Sequence, residues 1–67
     1  MKKIIINLHK NENGTFKSVL IVGNQEGNQE DLLFRSYDQH TEAKAIEVAL
    51  NAALVRTQDI INMCQIT

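Results

Sequence analysis

The side chains of this 67-residue chain that could do chemistry are few: His9, His40, Cys64 and the lysines at positions 2, 3, 10 and 17. Histidine changes charge near neutral pH, so His9 and His40 could act as general bases or metal ligands. Neither has a nucleophile near it in sequence, and both are read as exposed, unpaired histidines. Cys64 could be a reactive thiol; on a C-terminal segment of this composition it is read as a small apolar group or an idle terminal thiol. Two histidines and one cysteine do not complete a four-ligand zinc site unless carboxylates join them. No catalytic residue, metal or cofactor is therefore expected. Lys2, Lys3, Lys10 and Lys17 give a basic side to the first part of the chain, and Lys3, Lys10 and Lys17 are candidate nucleic-acid contacts. Without interleaved aromatics, such lysines more often keep a sheet face or edge soluble.

Composition narrows the classes further. A net charge of −1 is no footprint for non-specific nucleic-acid binding. A chain of this length is one domain spanning residues 1–67, and folding at this size hides only about 60% of the unfolded chain's surface. Small domains gain the missing stability from disulfides, a metal or oligomerisation. With one cysteine there is no intramolecular disulfide, which leaves oligomerisation. Met1 to Ile6 carries two lysines and three isoleucines, but the apolar run stops at Asn7 and His9, short of a signal-peptide core. No run approaches a membrane span. The expected location is the cytoplasm.

These residues hang on a simple series of elements. Isoleucine-rich residues 1–9 read as a strand, with Ile4, Ile6 and Leu8 on one face. Asn13-Gly14 between two strand-like runs signals a tight hairpin turn, since both residues tolerate positive φ. Residues 15–23 return antiparallel, with Phe16, Ser18, Leu20 and Val22 opposite Lys17, Val19 and Ile21. The tandem GNQEGNQE then places a polar loop over 24–31, where Asn24, Gln25, Glu26, Asn28, Gln29 and Glu30 are candidates for a recognition loop. LLFRSY supplies a third strand over 32–37, with Leu32, Phe34 and Ser36 sharing a face. Asp38 or Thr41 is the expected N-cap of a helix over 41–64, and Glu42 suits its positive end.

That helix carries more apolar surface than one small sheet needs. At about 100° per residue, Lys44, Glu47, Asn51, Gln58 and Asn62 form a narrow polar strip. The flank through Ile46, Leu50, Ala53 and Leu54 is expected over Ile4, Ile6, Phe16, Leu20 and Phe34. The other flank, Ala45, Val48, Ala52 and Val55, is left for a two-fold helix–helix contact or a partner protein. The sheet face carrying Ile5, Val19 and Ile21 is a second route to self-association.

The order hairpin, third strand, Ala-rich helix, with YDQHTEAKAIEVALNAAL, resembles the first half of the ribonuclease H fold. Glu42, Ala45, Ala49 and Leu50 match that family's helix pattern. The resemblance implies a metal-binding Asp on the first strand, where this chain has Asn7, so it implies architecture and not hydrolysis. A partial fold of this length is similar to HicB-type antitoxin domains, whose acidic-Gly hairpin NENGTF and TEAKAIEVALNAAL resemble. That likeness implies a non-enzymatic protein that neutralises a toxin. TEAKAIEVALNAAL also resembles the last helix of double-stranded RNA-binding domains, although only Lys44 stands where a lysine cluster would grip phosphate.

The sequence thus predicts an α+β fold of β-β-β-α order. Three antiparallel strands carry one long helix on one face, with a short C-terminal helical extension as its variant. The expected function is binding another protein, a toxin or host enzyme, as a homodimer. A nucleic-acid-binding regulator using the lysine-bearing hairpin is the alternative.

Overall fold

The structure, a computed structural model, describes residues 2–65. Met1, Ile66 and Thr67, which the expected strand and C-terminal segment include, lie outside the described residues. The fold is α+β: strands β1 (Lys3–Lys10), β2 (Phe16–Gly23) and β3 (Gln29–Gln39) precede helices α1 (Glu42–Val55) and α2 (Thr57–Cys64). The sheet is antiparallel in the order β1-β2-β3. Six of the sixteen residues of the first two strands are isoleucine or valine, whose β-branched side chains suit its pleated surface.

Both hairpin loops close in the same way. Gly14 N–H bonds the Asn11 carbonyl at 3.0 Å and Asn11 N–H bonds the Thr15 carbonyl at 2.7 Å. Gly27 N–H and Asn24 N–H repeat this pattern with Asn24 and Asn28, at 2.9 and 3.0 Å. The glycines carry the left-handed residue, at φ +86° and +90°. Asn13 does not share it, so the expected two-residue turn is a three-residue loop ending in a left-handed glycine.

The third strand is longer than the expected 32–37, and the loop is shorter than 24–31. Gln29 and Glu30 belong to β3, so the two GNQE copies adopt different structures. The first ends β2 and enters the turn; the second leaves the turn and begins β3. Pairing with β2 slips at three places, and each slip adds one residue to β3. One slip turns on Asp38, at φ +50°. Another leaves Leu33 unopposed between the pairs Leu20–Phe34 and Ile21–Leu32. A bulge reverses the alternation of faces. Leu33 is therefore buried at 7% exposure, while Leu32, expected beside Phe34, pairs with Ile21 on the opposite face and is 43% exposed.

The core lies between one sheet face and the helices. Leu20, Val22 and Leu33 form its centre, and Ile6, Phe34, Ala52, Ala53, Ile60 and Met63 pack against it. Ala45 and Ala49 are fully buried. The helix is thus rotated from the expected setting, with the small alanine stripe inward and Leu50 and Leu54 at 51% and 74% exposure. Small residues on the sheet, Ser18 and Ser36, are buried too. Small side chains on both layers let helix and sheet backbones approach closely.

Thr41 is the N-cap of α1, its Oγ1 accepting the Lys44 N–H at 3.0 Å, and Glu42 sits in the first turn. The single helix expected over 41–64 is broken at Arg56, whose backbone (φ −100°, ψ 20°) ends α1 and starts α2. Arg56 Nη1 donates to the Leu33 carbonyl at 3.0 Å, which fastens the elbow between helices to the β3 bulge. The Thr57 hydroxyl turns back to the Leu54 carbonyl at 2.7 Å.

Candidate functional site

The hairpin bonds decide which backbone groups of β1 face outward. The Asn11–Thr15 bond makes that pair hydrogen-bonded, and antiparallel pairs alternate. The β1–β2 register runs without a slip from Lys10–Phe16 to Lys3–Gly23. His9, Asn7, Ile5 and Lys3 therefore bond β2, while the N–H and C=O groups of Ile4, Ile6, Leu8 and Lys10 point away from it. The side chains of these four share the face of Leu20, which the helices cover.

Cover is uneven. α1 packs on β2 and β3 and only lightly on β1. Ile4 and Leu8 remain 45% and 38% exposed as a result. The strand order, this bonding pattern and the right-handed turn of α1 place Ile46, Leu50 and Leu54 on the β1 side of the helix. An apolar surface therefore runs from the β1 edge up the flank of α1. Val55, at 86% exposure, lies on the far side of that helix, and Ile61 of α2 is 44% exposed.

Among the described residues no helix lies over the other sheet face. One row across it is Ile5–Ile21–Leu32 and the next Asn7–Val19–Arg35. Ile21, in the middle of its row, is nevertheless only 4% exposed. Arg35 Nη1 donates to the Tyr37 hydroxyl at 3.2 Å, and Tyr37 is 60% exposed. This polar aromatic pair was not singled out from sequence; RSY shows the spacing of two that puts both on one strand face, but bulges obscured which face.

The other candidates fall in separate places. Lys3 and Lys17 lie on the uncovered sheet face, whereas Lys10 is on the helix side with its ammonium 6.0 Å from the Phe16 ring centre. The three do not form one basic patch. Lys2 pairs with Glu30 across the end of β2, and this hydrogen bond raises the Lys2 pKa. Asn24 Oδ1 accepts the N–H groups of Glu26 and Asn28 at 3.1 and 3.0 Å. The loop thus uses its own polar groups to hold its shape, with Gln25 and Glu26 exposed at its tip.

Of the expected helix interface, Ala45 is inside the protein's own core and Ala52 packs against it. Val48 is half-buried, and only Val55 is strongly exposed. Ala45 is therefore closed to a partner, Val48 and Ala52 are partly covered, and Val55 is open. Asn7 and Glu42 are both exposed, Asn7 on the uncovered sheet face and Glu42 in the first turn of α1 above the other. His9 and His40 are exposed and Cys64 half-buried. Among the described residues no group of three or more His, Cys, Asp and Glu is placed to hold a metal ion, and no helix is long and apolar enough to cross a membrane.

Compared with protein-family models, curated proteins and solved structures, the chain matches none.

Proposed function

We propose that this chain is a small non-enzymatic protein-binding module that acts as a homodimer and neutralises another protein, a toxin or a host enzyme, in the cytoplasm. The observation that carries the reading is the apolar surface outside the core. Leu50 and Leu54 are 51% and 74% exposed on the β1 side of α1, whose alanines already serve the core, and beside them Ile4 and Leu8 of β1 are 45% and 38% exposed. Contiguous apolar surface of this kind marks interaction sites in soluble proteins. The resemblance to antitoxin domains gives the partner its proposed class.

The test compares capture from a bacterial or phage-infected lysate by the wild-type chain and by Leu54→Glu. A single protein retained by the wild type and lost with the variant supports the reading. Equal retention by both removes this surface from it.

The alternative, a nucleic-acid-binding regulator, draws on Tyr37 and Arg35 sharing the uncovered sheet face with Lys3 and Lys17. An exposed aromatic beside cations is a stacking platform for single strands. A steep fall of RNA or DNA affinity with salt, abolished by Tyr37→Ala, would favour it.

A further inference from the structure

We infer that β1 is the dimer edge: β1 of a second copy docks beside it, antiparallel about a two-fold axis, and joins two three-stranded sheets into one of six strands. This rests on the homodimeric reading above and names its interface.

An open strand edge is a template for another strand, and proteins blunt edges they do not use with bulges, proline, charge or cover. The two edges of this sheet differ in that respect. β3 carries all three register slips, a left-handed Asp38, and an Arg56 guanidinium bonded to its Leu33 carbonyl. β1 is eight residues with no slip, and its outward groups at Ile4, Ile6, Leu8 and Lys10 have a regular spacing of two. Nothing in KIIINLHK blunts it between its terminal lysines.

The occupant follows from the self-complementarity of the apolar centre of β1, the ends of which set Lys10 against Lys2 of the second copy. With the axis at Ile6, Ile6 faces its own copy and Ile4 faces Leu8 of the second copy, so all three helix-side apolar residues meet apolar partners. Exposed Ile4 and Leu8 are buried by the same step, and the Leu50 and Leu54 flank extends the contact above them. A stable dimer takes about 800 Å² per partner, a modest share of the 4679 Å² surface. Charge alone would favour a head-to-tail arrangement, basic β1 against β3 with Glu30, Asp31 and Asp38. Such a contact does not close and grows into fibres. The slips along β3 obstruct it and leave the closed β1–β1 pairing.

Amide hydrogen exchange on the wild type tests this directly. The N–H groups of Ile4, Ile6 and Leu8 have no partner strand among the described residues of the monomer, whereas those of Ile5 and Asn7 bond β2 and act as internal references. At high micromolar concentration the first set is expected to exchange at least about tenfold more slowly than after dilution, with the reference set unchanged. Sedimentation is run on the same samples. A dimer whose Ile4, Ile6 and Leu8 amides exchange equally fast at both concentrations overturns the edge and leaves the homodimer standing. A monomer at high micromolar concentration overturns both. Leu8→Pro removes an outward N–H without touching a bond to β2; a folded Leu8→Pro monomer is expected, and a Leu8→Pro dimer refutes the interface.

Discussion

Ser18 and Ser36 hold their hydroxyl oxygens 2.6 Å apart inside the helix-covered face of the sheet, and the Ser36 hydroxyl also accepts the Ser18 N–H at 3.0 Å. The slip beside this pair explains the second bond, since the Ser36 side chain substitutes for a backbone acceptor where β3 bulges. The two positions are therefore unequal. Ser36→Ala strands a buried N–H and is expected to cost about 1–3 kcal/mol. Ser18→Ala leaves Ser36 bonded to the Ser18 amide and is expected to cost about 1 kcal/mol. Urea unfolding of the two variants checks the order; equal costs would show that the amide bond contributes nothing.

Gly14 and Gly27 occupy equivalent positions in their loops, at φ +86° and +90°, with open space where a Cβ would be. The penalty for a side chain is thus conformational and not steric. Valine is expected to cost about 1 kcal/mol or more at either site, and asparagine, which tolerates left-handed backbone, clearly less. Thermal melts of Gly14→Val and Gly14→Asn separate the two. Equal melting temperatures would contradict the left-handed conformation.

Arg56 does two jobs at once: its backbone ends one helix, and its guanidinium grips the Leu33 carbonyl across to β3. Its ion pair with Asp59 is exposed, at 3.3 Å, and contributes little. The bond to Leu33 is a hydrogen bond from a charged donor in a half-buried site, so Arg56→Ala is expected to cost about 1.5–3 kcal/mol and Asp59→Ala under about 1 kcal/mol. Comparable losses for both, measured by denaturant unfolding, would place the stabilisation in the ion pair instead.

Particular residues show how much of this was legible in the sequence. Ile4, Ile6, Leu20 and Val22 alternate with period two and have one face each, so the first hairpin and its buried side could be read directly. Thr41 as cap followed from its type and from the apolar run beyond it. The third strand broke the reading because a single unopposed residue, Leu33, inverts the pattern, and no residue type announces such a bulge. The helix was misplaced for a related reason. Larger Leu50 and Leu54 offer more apolar area than Ala45 and Ala49, and area alone places them inward. Close approach to a sheet floored by Ser18 and Ser36 favours alanine, a term that periodicity does not contain. Leu50 and Leu54 are consequently the exposed flank of α1, and Ala45 and Ala49 the buried one.

The helix setting gives the last prediction, in which inner and outer faces respond oppositely to size and polarity. Ala49 is fully buried in a closely approached layer. Ala49→Leu adds volume where neither the Ala-lined helix nor the sheet can yield without separating, and is expected to destabilise the fold by about 1–3 kcal/mol. Leu54 is 74% exposed and lies outside the core cluster. Leu54→Glu removes apolar surface from water rather than from the core, so monomer stability is expected to stay within about 0.5 kcal/mol. Had the larger flank faced the sheet, the order would reverse: Leu54→Glu would bury a charge and unfold the chain, while Ala49→Leu would sit harmlessly in solvent. Denaturant midpoints for the two variants, measured at a concentration low enough to keep the chain monomeric, decide which flank is inside.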